Sequence, residues 1–275
     1  MVNGSESSPL ISIITACLNA DEFIEETIQS VLGQSYPKVE YIIIDGGSTD
    51  STMEIVNRYA TRLSYWHSRL DRGLAHAFNL GLSHAQGDWL LFLNADDYLF
   101  DSGVIANMVP HLNRHPEADV VFGQVAWAGR HKEVSKGSLI TRGQPWRWST
   151  FRFVCTIPHQ AAFTPRRYFE RFGGFKENLR IAMDYELFLR RGPDLQAIFV
   201  PQLISVMRLG GVSSNIMAAL KEWRTVQLFY QVSPNWLIWG NYLCRAIWNI
   251  RKPELIKKVK HMPNMAQEPA VRPKP

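Results

Sequence analysis

Asn94-Ala95-Asp96-Asp97 follows Asp88-Trp89-Leu90-Leu91-Phe92-Leu93, a short apolar run with the length of a buried strand. Carboxylates just past such a strand sit at its carboxyl end, where open α/β sheets bind ligands. Their hard oxygens suit Mg²⁺ or Mn²⁺, ions commonly shared with phosphates. The same tetrapeptide also reads as a polar turn ahead of a helix starting near Asp101, and taken alone it leaves both readings open.

What decides between them is where the other polar residues fall, and that depends on the elements that carry them. Residues 10–15 read as a strand, and 21–33 as a helix with Phe23, Ile24, Thr27, Ile28, Val31 and Leu32 on one face. Residues 41–44 are apolar on both faces, which predicts a central parallel strand. Ser51 and Glu54 have the spacing of a capping box for a helix reaching about Tyr59. Residues 63–67 read as a third strand, 74–84 as a helix, 88–93 as a fourth strand, 103–114 as a helix and 119–122 as a strand. Repeated βα units predict a mostly parallel central sheet flanked by helices, with right-handed crossovers. Residues 123–160 are broken by Gly, Trp and Pro and read as loops with room for a lid, ahead of a strand at 161–163.

On this map four polar clusters converge on one sheet edge. Thr15 to Asn19 ends strand one and Asp45-Gly46-Gly47-Ser48 ends strand two. Asp71 and Arg72 follow strand three, and Asn94, Asp96 and Asp97 end strand four. Turns and helix caps explain each cluster singly, with Asp50 or Ser51 a good cap. They do not explain why all four carry Asp, Asn or Arg on the same edge. Ala16-Cys17-Leu18-Asn19 is no GxGxxG fingerprint, and no Walker A loop is present. Carboxylates without a glycine cradle favour a nucleoside diphosphate held through a divalent ion.

The chain resembles an inverting glycosyltransferase of family 2, with the GT-A nucleotide-diphospho-sugar transferase fold. The resemblance rests on residues 12–19, on Ile44-Asp45-Gly46-Gly47-Ser48-Thr49-Asp50, on residues 87–97 and on Met183-Asp184-Tyr185-Glu186, and it spans about residues 9–215. Asp45-Gly46-Gly47-Ser48, Leu70-Asp71-Arg72-Gly73 and Pro158-His159-Gln160 resemble a subgroup that builds bacterial surface polysaccharides such as colanic acid. The resemblance implies that Thr15, Asn19 and Asp45 contact the donor, the first and last of these at the base. It puts Asp71 and Arg72 beside the base or diphosphate, and Asn94 and Asp96 at the ends of an Asp-x-Asp motif. Asp96 and Asp97 would be the metal ligands, for Mg²⁺ or Mn²⁺, and Asp184 the general base. Two positions depart from the family pattern. Gly46 stands where many members have a carboxylate, and Asn94 where they have the first Asp of Asp-x-Asp.

Some residues keep two readings. Asp184 is also placed to cap the helix that follows it. His159 and Gln160 face either the acceptor and diphosphate or a local hydrogen bond. Gly210-Gly211-Val212-Ser213 is a mobile loop near the diphosphate or a simple turn. The implied activity is metal-dependent, inverting transfer from a UDP- or GDP-sugar to a saccharide or lipid-linked acceptor. A nucleotidyltransferase and a non-catalytic scaffold derived from a glycosyltransferase are the alternatives. A glycosidase would need two carboxylates flanking a sugar bond.

Composition sets the remaining bounds. The 275 residues can bury a sizeable core, and the 46% hydrophobic and 20% charged content is that of a globular protein. The start carries no basic segment followed by an apolar core, and three cysteines fit a reducing compartment, so the expected location is the cytoplasm. Residues 1–8 and 263–275 are expected to be disordered, 9–215 catalytic and 216–262 helical and basic. From residue 240 on, eight basic residues face two acidic ones, so the tail holds the whole net charge of +5. With Trp236, Trp239, Tyr242 and Trp248 beside this charge, the segment reads as a peripheral anchor on the inner face of the cell membrane. It reads equally as a helix packed on the domain or in a dimer. No nucleic-acid motif accompanies the charge.

Overall fold

The computed structural model describes residues 8–129, 141–208 and 215–260, with only the backbone at Thr141 and over 250–260. The expectations for residues 1–7, for Gly210 to Ser213 and for the tail beyond 260 lie outside the described residues.

In chain order the elements are β1 (Ile11–Cys17), α1 (Ile24–Leu32), β2 (Val39–Asp45), α2 (Thr52–Arg58), β3 (Tyr65–Ser68) and α3 (Leu74–His84). Next come β4 (Trp89–Asn94), β5 (Tyr98–Leu99), α4 (Val104–Arg114), β6 (Val120–Ala128), β7 (Thr141–Arg142) and α5 (Trp148–Phe151). The chain continues with β8 (Ala162–Pro165), α6 (Arg166–Phe172), α7 (Met183–Leu189), β9 (Ala197–Arg208), α8 (Ile216–Phe229) and α9 (Asn235–Lys260).

One sheet runs in the order β3-β2-β1-β4-β8-β6-β9-β5, with β7 on β6. The first four strands are parallel, and β8 is antiparallel to both β4 and β6. The sheet is thus mostly parallel with antiparallel members, a mixed α/β architecture. Central strands are buried on both faces, and their residues alternate between two cores. Ile14, Ile42, Ile44 and Phe92 join one core with Phe78, Phe169 and Phe175. Ile13, Tyr41, Ile43 and Leu93 join the other with Ile24, Ile28 and Met108. Helix α3 lies so close to the sheet that a Cβ on Gly81 would stand 2.4 Å from Ile14 Cγ2.

Two local readings are corrected. Ser51 makes no side-chain cap bond, so the expected capping box is absent. Asp50 takes that place, its Oδ1 accepting from Thr52 N at 3.0 Å. The irregular stretch expected from residue 123 instead begins as strand, because β6 runs on to Ala128 beside β9. Gly123 marks an irregularity in that pairing rather than a strand end, and a Cβ there would meet Ile204 Cγ1 at 2.5 Å.

Candidate active site

The ends of β1, β2 and β4 do lie side by side, since Cys17 pairs with Asp45 and Ala16 with Asn94. The structure sorts the polar residues at this edge into those that build it and those that face outward.

Thr15 belongs to the first group. It shares the face of Ile11 and Ile13, has no exposed surface, and its hydroxyl accepts from Tyr41 OH at 3.1 Å. Strand alternation turns the side chain of Thr15, which the resemblance assigns to the base, into the core. Asp45 is likewise fully buried. Its carboxylate accepts from Gly47 N at 3.1 Å, Ser48 N at 3.0 Å and Ser68 Oγ at 2.7 Å, and also from the Ser48 hydroxyl and Cys17 Sγ. Burial alone would raise this carboxyl, but the serine and backbone donors hold it below its ordinary value. It organises the loop that follows β2, at the place where the resemblance puts a contact with the base. The same negative charge, with burial as the larger cause, pushes the Cys17 thiol far up, so it stays protonated. Asn19 joins β1 to that loop. Its backbone is left-handed (φ 49°), its N–H donates to Ser48 Oγ at 2.7 Å, and its Oδ1 accepts from Thr49 N at 2.9 Å.

Asp71 is half-buried beside Gly46, and Arg72 is exposed and paired with Glu177 at 2.7 Å. That ion pair is solvated and contributes little to stability.

The end of β4 carries the densest network. Asp97 is 1% exposed. Its Oδ2 accepts from Asn94 Nδ2 at 2.9 Å and Gln160 Nε2 at 3.0 Å, and its Oδ1 from Arg208 N at 3.0 Å. Burial, and then the neighbouring Asp96 charge, push its carboxyl well above the usual range. Both oxygens of Asp97, expected from the resemblance to be a metal ligand, are engaged by groups of the protein. Gln160 is 4% exposed, its amide donates to Asp97, and its backbone carbonyl accepts from Ser205 Oγ at 2.9 Å. Asn94 has a clear reason to be an amide. It donates to Asp97, which a carboxylate could not do.

Asp96 remains as the half-buried carboxylate of the motif. Its hard oxygens fit Mg²⁺ or Mn²⁺ shared with a diphosphate, because Mg²⁺ is usually held by one or two carboxylates plus phosphate oxygens. Among the described residues no three His, Cys, Asp or Glu side chains gather into an all-protein metal cage.

His159 bridges to the second acidic group. Its Nδ1 lies 3.3 Å from Asp184 Oδ2 and its Nε2 3.4 Å from Asn94 Oδ1. Both facing atoms are acceptors, so a proton on either ring nitrogen finds a partner. Asp184 and His159 are about one-fifth exposed, open enough to be reached. Asp184 lies inside α7 and does not cap it; its Oδ1 accepts from the adjacent Tyr185 N at 2.7 Å.

Two residues at this site carry no sequence signal of their own. Arg208, at the end of β9, donates from NH1 to Asp96 O at 2.7 Å and stacks over Phe23 and Tyr98. Glu222, on α8, supplies the cap that Asp184 does not. Its carboxylate accepts from the N–H groups of Arg180, Ile181 and Ala182 at 2.8–3.2 Å, next to the start of α7. Glu222→Ala should leave those donors unpaired at about 1–3 kcal/mol. A thermal melt and turnover should both fall, and an unchanged melting temperature would remove Glu222 from the support of α7.

The model for glycosyl transferase family 2 matches residues 12–181, more than half the chain. The chain belongs to that family. The match ends at Ile181, just short of Asp184. This glycosyltransferase is 30% identical over 223 residues to a PGL/p-HBAD biosynthesis glycosyltransferase of Mycobacterium bovis (strain BCG / Pasteur 1173P2), covering 77% of this chain and 82% of the relative. It is 43% identical over 94 residues, a third of its length and 38% of the relative, to an uncharacterized glycosyltransferase of Haemophilus influenzae.

Its fold is that of solved GT-A glycosyltransferases. Staphylococcus aureus TarS 1–349 in complex with UDP-GlcNAc superposes with a TM-score of 0.60 at 17% identity, over 79% of this chain and 66% of that one. A longer TarS chain is spanned only to 39%. The mannosyltransferase PcManGT of Pyrobaculum calidifontis, in complex with GDP-Man and Mn²⁺, gives 0.58 at 20% identity, over 86% and 73%.

Proposed function

We propose that this glycosyltransferase moves a sugar from a UDP- or GDP-sugar to a saccharide or lipid-linked hydroxyl, with inversion, in surface polysaccharide biosynthesis. The observation that carries the reading is the line from Asp184 through His159 to Asn94, at 3.3 and 3.4 Å. It joins one reachable carboxylate to the motif at the end of β4.

The acceptor oxygen attacks the anomeric carbon, the bond from that carbon to the diphosphate oxygen breaks, and the hydroxyl proton passes to the Asp184 carboxylate. One displacement with one base inverts the centre. His159 orients Asp184, and the bonds from Asn94 and Gln160 to the buried Asp97 keep the motif rigid. Asp96 would hold the divalent ion together with the diphosphate. When bound, that ion supplies positive charge where the leaving diphosphate gains negative charge. Both donor classes have precedent among the neighbours of the same fold, one solved with UDP-GlcNAc and one with GDP-Man and Mn²⁺.

The test is nucleoside diphosphate release from UDP-, GDP- and dTDP-sugars, with membrane extract as acceptor. Release from one donor is expected, lost with a chelator and restored by Mn²⁺ or Mg²⁺. Pyrophosphate as the product would identify a nucleotidyltransferase, and absence of both release and donor binding would leave a scaffold.

Helix α9 supports the membrane part of the reading, with the enzyme in the cytoplasm and peripheral on the inner face of the cell membrane. One side packs inward, with Ile238 and Ala246 buried and Arg245 over the Trp223 ring. Trp236, Trp239, Leu243 and Ile247, spaced three or four apart, are exposed on another. No helix among the described residues is long and apolar enough to cross a membrane. Co-sedimentation with anionic vesicles, absent with neutral ones and weakened by salt, is expected. Equal recovery with both vesicle types would count against charge-guided docking.

A further inference from the structure

Helix α8 ends at Phe229 and α9 begins at Asn235, and the turn between them borders a depression of about 750 Å³. Leu228, Gln231, Ser233, Pro234, Asn235 and Trp239 line it. None of the six carries a charge. None belongs to the sheet edge or to the line from Asp184 to Asn94.

Three features of the lining are not explained by the turn itself. Ser233 stands two residues ahead of α9, yet its hydroxyl caps nothing. The residue is 8% exposed, and its Oγ has no hydrogen-bond partner among the described residues. A buried hydroxyl left in that state costs stability until a ligand fills the bond. Gln231 holds a left-handed backbone, φ 49°, just past the end of α8. Glycine is the usual residue there and would hold the turn at less cost, so the turn does not ask for an amide. Trp239 lies one helical turn beyond Asn235, on the same side of α9. The Arg224 guanidinium sits 4.2 Å from the centroid of its ring and 4.2 Å from that of Tyr242, which fixes the indole, while 44% of Trp239 stays exposed.

We propose that this depression binds a neutral saccharide. A pyranose has an apolar C–H face bordered by hydroxyls. The face matches the uncovered side of the Trp239 ring, with Leu228 and Pro234 as further apolar wall. The hydroxyls match the Gln231 and Asn235 amides and the Ser233 hydroxyl, which together offer both donors and acceptors. An apolar wall with a few polar groups is the usual make-up of a small-ligand site. With no charged side chain in the lining, an anion such as a diphosphate has no counter-charge there. A free glycan and the head of a glycolipid are two sources of the same chemistry. The proposal rests on neither the donor nor the base and stands apart from the transferase reading.

The test is titration of the full chain with the methyl and butyl glycosides of glucose, galactose, mannose, rhamnose and N-acetylglucosamine, read by saturation-transfer NMR and tryptophan fluorescence. At least one sugar is expected to bind, with the same affinity whether or not UDP or GDP is present with Mn²⁺. Trp239→Ala is expected to weaken that binding about tenfold or more, as truncating a central aromatic anchor does. Gln231→Gly removes the amide and keeps the left-handed backbone without strain, so it should weaken binding with the fold intact, and it decides the matter if the Trp239 variant does not fold. Tighter binding of the butyl glycoside supports the site with a glycolipid as its source, and equal affinity supports it with a free glycan. Binding of none of the sugars, binding that the nucleoside diphosphate displaces, or binding that the folded variants keep unchanged would each overturn the proposal.

Discussion

Asp184→Asn is expected to lower turnover by a factor of about 10²–10⁴, the usual worth of a positioned general base, while donor affinity stays unchanged. The amide keeps the shape of the carboxylate and its bond from Tyr185 N, but it cannot take the acceptor proton. Among the described residues Asp184 reaches the donor motif through His159, at 3.3 and 3.4 Å, so its replacement should leave Asp96 and the β2–β3 loops in place. Two readouts separate the roles: nucleoside diphosphate release for chemistry, and titration with the donor for binding. A parallel loss of donor affinity would make Asp184 a donor ligand. Near-normal turnover would place the base elsewhere.

The second large effect is on stability and comes from two residues further on. Glu186 is 1% exposed. Its carboxylate meets Arg190 Nε at 3.0 Å and Lys176 Nζ at 3.1 Å, and accepts from the Tyr230 hydroxyl. Arg190 in turn donates to the carbonyls of Phe172, Gly173 and Gly174 at 2.8–2.9 Å. One buried charge thus ties α7 to α6 and to the end of α8. Removing one partner of such a pair leaves the other buried and unpaired, so Glu186→Ala should cost about 3–5 kcal/mol, read as a lower denaturation midpoint. A loss under about 1 kcal/mol would mean that water reaches Arg190 and replaces the carboxylate.

Its pH dependence has a definite sign. Burial opposes ionisation of Glu186, but the bonds from Arg190 and Tyr230 outweigh it and hold the carboxyl below its ordinary 4.5. Arg190 is shifted up by the same contact, so both partners agree in direction. A group depressed on folding stabilises above its unfolded pKa and loses that contribution as pH falls through the folded value. The stability gap between wild type and Glu186→Gln should therefore be widest near neutral pH and close on acidification below about 4.5. A gap independent of pH would show that packing, not charge, sets it.

Asp184 and Glu186 are both helix carboxylates in one tetrapeptide, Met183-Asp184-Tyr185-Glu186, and sequence alone cannot tell which is solvent-facing. The same limit appears at the sheet edge. Apolar periodicity reads through to β1, β2, β4 and α3 within a residue or two, because strand and helix periods are local properties of the chain. The gathering of the four polar clusters follows from the parallel order, which the βα alternation implies. Gly123 broke the pattern because a glycine within a strand looks like an end, and only the partner strand β9 shows that it is a crowded pairing.

By itself, then, the amino-acid sequence determined the family, the mostly parallel sheet, and the edge on which the candidate site residues gather. Tertiary structure decided which of those residues face outward. Thr15, Asp45, Asp97 and Gln160 carry the right chemistry but have their polar atoms paired inside the protein. Asp71, Asp96, His159 and Asp184 remain where a ligand can reach. A buried polar atom must find a partner or lose stability. That partner comes from a distant segment, as when Gln160 and Arg208 close on Asp97. Contacts so far apart in the chain leave no periodic trace, and they exist only once the sheet has formed.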